Sequence, residues 1–149
     1  MFELIYFTLL MLWVMFEDVR SKIIPDAISV GLVSYAFVSS LFGDGIPLHE
    51  ACLGLLVGGG LMLALSIVSV MGGGDVKLMG ALGMWFGLRV LDTFFLSFLV
   101  GAVVGIFYYF KYRDRKQEIP FGPSIAVAAL LQIFFDISLL GDLWQTILP

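Results

Sequence analysis

Two aspartates stand at the edges of apolar stretches, where a carboxylate can do chemistry. Asp75 closes the run Met71-Gly72-Gly73-Gly74-Asp75-Val76-Lys77, a glycine triplet and a carboxylate set between two apolar stretches. Asp18 lies in the short charged segment Glu17-Asp18-Val19-Arg20-Ser21-Lys22, and Asp26 follows it just after Pro25. A carboxylate at the mouth of an apolar helix loses part of its water, which disfavours its charged form. When a second carboxylate comes within a few ångström, the two resist ionising together and titrate as a unit. One then keeps a proton while the other serves as a base, which is the pair that hydrolyses an amide through an activated water. Such chemistry needs no metal, cofactor or covalent intermediate. The glycines beside Asp75 would permit backbone with φ > 0 and the close approach of an extended substrate chain. The competing reading is structural: an Asp at a loop–helix junction is often only a cap. The residues by themselves also leave open whether Asp18 or Asp26 is the partner of Asp75.

The elements that must position these residues are apolar helices. The chain has 149 residues, of which 60% are hydrophobic and 13% charged, with a mean hydropathy of +1.04. Soluble domains run at about 45–50% apolar and about 25% charged, so the expected class is an all-α, polytopic membrane bundle. Spans need about 20 apolar residues. The runs are Leu4–Phe16, extended at its ends, then Ala27–Gly43 behind Pro25, and Ala51–Met71. The third run carries Gly54, Gly58, Gly59 and Gly60, and small residues four apart predict a central, closely packed helix. Residues Leu78–Phe110 are too long for one span. They read as two helices with a turn near Leu88–Asp92, the first short and the second about Thr93–Phe110. Tyr108, Tyr109 and Tyr112 would form an interfacial belt. A sixth helix covers Ser124–Phe135, and the tail Asp136–Pro149 either completes that span or lies along the interface.

With about six helices, the loops after the first, third and fifth hold Arg20, Lys22, Lys77, Lys111, Arg113, Arg115 and Lys116, seven of the eight basic residues. The excess of Lys and Arg on cytoplasmic loops then places Asp18 and Asp75 together at the cytoplasmic face of a multi-pass inner-membrane protein, with both termini outside the cytoplasm. The basic residues form no stripe of the kind that binds nucleic acid. Cys52 alone can make neither an internal disulfide nor a C-x-x-C site, and no metal site is expected. The N-terminus lacks the positive region of a cleavable signal. His49, the one histidine, falls in a loop on the opposite side from both aspartates, which excludes a Ser-His-Asp arrangement.

Three motifs in order, Asp18-x-Arg20-x-x-x-Ile24-Pro25-Asp26, Gly72-x-Gly74-Asp75-x-Lys77-Leu78 and Ile119-Pro120-Phe121-Gly122-Pro123, resemble the type IV prepilin peptidase family, membrane aspartic proteases of the Gly-x-Gly-Asp kind. The resemblance implies an aspartic endopeptidase that removes the cytoplasmic leader from pilin-like precursors, each a basic leader followed by a long apolar helix. It implies Asp18 and Asp75 as the catalytic pair, with Asp26 near the site but not in it. Gly72, Gly73 and Gly74 would admit substrate backbone, Lys77 would anchor a helix end, and Pro120 would fix a turn beside the site. Longer members carry an N-terminal region with paired C-x-x-C motifs that methylates the new N-terminus. None occurs here, so residues 1–149 are expected to be one peptidase domain, similar to the short Flp/Tad or archaeal preflagellin branch. The expected partners are the precursor and the lipid bilayer, and the oligomeric state stays open. The rival expectations are a small proton-coupled transporter subunit, whose carboxylates would lie near mid-membrane, and a secretion-complex subunit without chemistry.

Overall fold

The computed structural model describes residues 2–43, 45–68, 72–112 and 120–137. Among these are six α-helices and no strand: α1 (Phe2–Ser21), α2 (Asp26–Phe42), α3 (Leu48–Val68), α4 (Gly73–Phe86), α5 (Val90–Tyr112) and α6 (Gly122–Phe135). A 3-10 turn, Gly87–Arg89, separates α4 from α5, where the sequence places a break in the long apolar stretch. The expected all-α bundle of about six helices is the fold observed.

Two boundaries at the site differ from expectation. The segment Glu17–Ser21 is not a loop but the last turn of α1. The helix ends only where Lys22 turns left-handed (φ 54°) and its N–H returns to the Asp18 carbonyl at 2.9 Å, a common way to close a helix. Likewise α4 begins at Gly73, so Asp75 sits in its first turn. His49 belongs to the first turn of α3 rather than to a loop.

The centre of the bundle is the short helix α4, whose residues Leu78–Met84 are all buried. The sequence points to α3 as central because of its glycines. Those glycines instead press α3 onto α4: a Cβ on Gly54 would stand 2.1 Å from the Gly83 carbonyl oxygen, and one on Gly58 would stand 2.7 Å from that of Met79. The outer face of α3 stays uncovered, with Leu56 and Val68 exposed. Lipid tails are as apolar as leucine, so a membrane helix needs close packing on one side and no cover on the other. The same holds for α1, α2, α5 and α6, which leave Phe16, Phe42, Phe107 and Phe135 outward. Both α3 and the α4–α5 stretch are apolar and long enough to cross a bilayer.

One core joins the helices, with Phe7, Met11 and Val14 of α1, Ile28 and Leu32 of α2, Met62 of α3, Leu78 and Leu82 of α4, and Ile125 of α6. At the end of the bundle away from Asp75, Phe7 packs on Trp85 and Phe86. There α5 is tied to α6: Thr93 hydrogen-bonds Gln132, Gln132 Nε2 donates to the Arg89 carbonyl at 2.9 Å, and Arg89 pairs with Asp136. Met71, Ile119, the basic segment beyond Tyr112 and the tail from 138 onward lie outside the described residues, as do the side chains of Lys111, Tyr108, Tyr109 and Tyr112.

Candidate active site

Asp18 belongs to the packed face of α1. Phe7, Leu10, Met11, Val14 and Asp18 are its buried positions, the spacing of one helical stripe. The carboxylate is therefore carried inward in place of an apolar side chain, and the residue is 6% exposed. Its partner is the start of α6. The Gly122 N–H donates to Asp18 Oδ2 at 2.9 Å. The first N–H groups of a helix have no partner within it, and the helix dipole favours an anion there. Gly122 is also the only residue type that fits. A Cβ at that position would lie 2.6 Å from Asp18 Oδ2 and 2.8 Å from Cγ.

The segment before α6 fixes this contact. Phe121 lies against the Phe98 ring of α5, with centroids 5.2 Å apart. Gly101 leaves room for it, since a Cβ there would come within 2.8 Å of the Phe121 ring. The Phe121 carbonyl then accepts from the N–H groups of Ser124 and Ile125, at 3.0 and 3.2 Å. Pro123 stands in the first turn of α6, where a missing N–H costs nothing.

Asp75 is the third residue of α4, after the cap Gly72, and is 7% exposed. It is not itself the cap. It reaches back instead, and the Gly72 N–H hydrogen-bonds its carboxylate, as an acidic residue at this position does in a capping box. It shares its buried stripe with Leu78, Met79 and Leu82. The two carboxylates are near enough to repel each other, and among the described residues neither makes an ion pair.

The other residues singled out from sequence have separate places. Gly72 has φ −70°, so the triplet supplies no left-handed turn. Gly74 provides close approach instead, for a Cβ on it would stand 3.1 Å from that of Ile24. Gly73 faces open space, with nothing within 4 Å of a Cβ built there. Asp26 and Lys77 are drawn to each other: Lys77 Nζ donates to Asp26 Oδ1 at 2.7 Å, with both side chains more than half exposed. Pro120 is half-buried next to Phe121. Sequence reasoning singled out Pro120 in this segment but overlooked Gly122. Its signal is a glycine between an aromatic residue and a proline at a helix start, in a chain with a buried acid to place.

Residues 5–106, which include both aspartates, match the model of the type IV leader peptidase family. The chain belongs to that family. Among curated leader peptidase relatives, the prepilin leader peptidase/N-methyltransferase of Xanthomonas campestris pv. campestris is 39% identical over 127 residues, covering 79% of this chain and 44% of the relative. The protein of the same name from Aeromonas salmonicida is 32% identical over 153 residues, covering 94% of this chain and 53% of the relative. The one from Bacillus subtilis is 28% identical, covering 95% and 58%. This chain thus spans about half the length of the relatives it matches. No solved structure matches it significantly. Relative to the leader peptidase match, Gly122 and the rest of α6 lie beyond the matched residues.

Proposed function

We propose that this chain is an aspartic endopeptidase that cuts the leader from type IV pilin-like precursors, with Asp18 and Asp75 sharing one proton and one water. The observation that carries the reading is the pair itself: two buried carboxylates, on different helices, repelling each other and each held by the N–H of a glycine at a helix start. With neither carboxylate in an ion pair among the described residues, proton sharing relieves the repulsion. The ionised member takes a proton from water, and the protonated member polarises the scissile carbonyl and then returns its proton to the leaving nitrogen. The hydrogen bonds from Gly122 and Gly72 keep both carboxyl groups oriented through that exchange.

Residues 1–149 act in this proposal as one peptidase domain that uses no cofactor. The basic residues near Asp18 and Asp75 support a pair that faces the cytoplasm at the cell membrane, with both termini on the other side. Glu17 adds negative charge at that mouth, which attracts a basic leader. The substrate's apolar helix then stays in the bilayer while its leader projects to the dyad.

The test is cleavage of a prepilin by the purified chain in detergent. Asp18→Asn and Asp75→Asn should each lower the rate by at least about a thousandfold, with unchanged insertion and melting. Full processing by either variant would sink the paired-acid mechanism.

A further inference from the structure

Helices α2 and α3 both pack on α4 but touch each other little, and an open groove of about 480 Å³ remains between them. Val33 of α2, Leu55 of α3 and Val76 of α4 make it apolar, and the Asp26–Lys77 ion pair stands at one end. Asp26 and Ser34 stand eight positions apart on α2, so the groove runs roughly 12 Å into the bundle from the end that holds Asp75. It begins one residue beyond Asp75, at Val76. One buried lining residue is out of keeping with this apolar trough. Ser29 is 8% exposed, and its hydroxyl has no hydrogen-bond partner among the described residues. Buried hydroxyls are normally paired.

We infer that this groove seats the first turns of the substrate's apolar helix, just beyond the bond that is cut, and that the Ser29 hydroxyl pairs with a backbone group at the start of that helix. The inference rests on the peptidase reading above. A helix start leaves N–H groups unpaired, and lipid offers them nothing. Ser29 lies one turn inward from Asp26, at the depth where the helix start of a substrate cut at the bundle's end would fall. An acyl chain would also fit an apolar trough, but it has no polar group for Ser29.

The route from groove to dyad is open. Successive residues of α4 differ by about 100°, so Val76 and Gly80 in the groove face away from Asp75. A chain joining the two must cross the start of α4, where Gly72 and Gly73 present bare backbone and nothing lies within 4 Å of a Cβ on Gly73. Ile24 blocks the neighbouring path over Gly74.

The experiment places a photoreactive benzophenone side chain at Ser34, in an Asp75→Asn background, in phosphatidylglycerol-containing liposomes. A synthetic precursor with a basic leader and an apolar helix is the probe. Val103, on the lipid-facing side of α5 and 65% exposed, carries the same group as the control. The expected result is capture of the precursor at Ser34, through the first two turns after the cut site, and capture of lipid at Val103. Capture of lipid or of a second copy alone at Ser34, or equal capture of precursor from both positions, overturns the inference. In the active enzyme, Ser34→Trp should raise KM for the precursor at least tenfold with kcat within twofold, whereas Val103→Trp should move neither; an unchanged KM for Ser34→Trp overturns it too. Failure of the unmodified enzyme to cut the precursor would instead defeat the peptidase reading, and the cross-link would still report what occupies the groove.

Discussion

Adding one methyl group at Gly122 is the sharpest perturbation of the dyad. In Gly122→Ala the new Cβ would start 2.6 Å from Asp18 Oδ2 and 2.8 Å from Cγ. Reaching the 3.4 Å of an ordinary contact requires the carboxylate or the start of α6 to retreat by about 0.8 Å. The Cβ of Asp18 is only 3.1 Å from the new methyl, so rotating the carboxylate about its own bond does not clear the clash. The N–H to Oδ2 hydrogen bond, now 2.9 Å, lengthens beyond useful range. A hydrogen bond to a charged group contributes about 1.5–3 kcal/mol, and a misplacement near 1 Å costs about a hundredfold in rate. These describe one displacement seen twice and are not summed. The expected result is a kcat about a hundredfold lower with KM within threefold, because Gly122 holds Asp18 and lies outside the proposed substrate groove. The assay is leader cleavage followed over time at several precursor concentrations, with thermal melting in the same detergent to show that the bundle survives. Gly60→Ala is the control, since nothing lies within 4 Å of a Cβ there. A Gly122→Ala enzyme with kcat within threefold of the parent would refute the assignment of Gly122 as the residue that positions Asp18.

Other substitutions separate folding from chemistry. Gly83→Ala drives a Cβ to 2.1 Å from the Gly54 carbonyl oxygen, backbone against backbone, and should lower stability by at least the roughly 1–3 kcal/mol typical of overpacking, read as a fall in melting temperature. Gly60→Ala on the open side of α3 should leave melting unchanged or raise it slightly. Asp26→Asn breaks an exposed pair worth at most about 1 kcal/mol and should keep kcat within threefold while changing KM; a loss of kcat as deep as that of Asp75→Asn would make Asp26 the partner of Asp75 and displace Asp18.

Much of the fold was legible because the bilayer simplifies it. Apolar runs of limited length give the helices, and the break near Leu88–Asp92 follows from a stretch too long for one span. Helix ends were less legible. Glu17–Ser21 reads as a charged loop, yet these residues continue a helix readily, and only the left-handed Lys22 stops it. The glycine triplet reads as a flexible turn, yet Gly73 and Gly74 are helical and serve approach rather than φ > 0. Both aspartates were legible as candidates because carboxylates are rare beside apolar runs. Which donors hold them was not, since a backbone N–H has no sequence signature. Gly122 is 104 positions from Asp18, and the packing of α6 on α1, with Phe121 set against α5, brings the two together.

Both carboxylates take their hydrogen bonds from helix starts, and this has a chemical consequence. A buried carboxylate in a membrane protein is commonly held by a cation, but a lysine or arginine against either aspartate would keep it ionised and prevent the proton sharing proposed above. Backbone N–H groups stabilise a carboxylate without contributing a full charge, which is compatible with the proposed sharing of one proton. The cation closest in sequence to Asp75 is Lys77, two residues on. Residues two apart do not face each other on a helix, and Asp26 engages Lys77 at 2.7 Å on the far side of α4. The same helix thus turns its acid toward α1 and α6 and its base toward α2. Separating the two around one short helix keeps a compensating charge nearby for the interface and out of the dyad. In the proposed mechanism the spacing Asp75-x-Lys77 therefore matters: moved by one or two positions to Leu78 or Met79, the lysine would share the buried stripe of Asp75, and the carboxylate could no longer act as the acid.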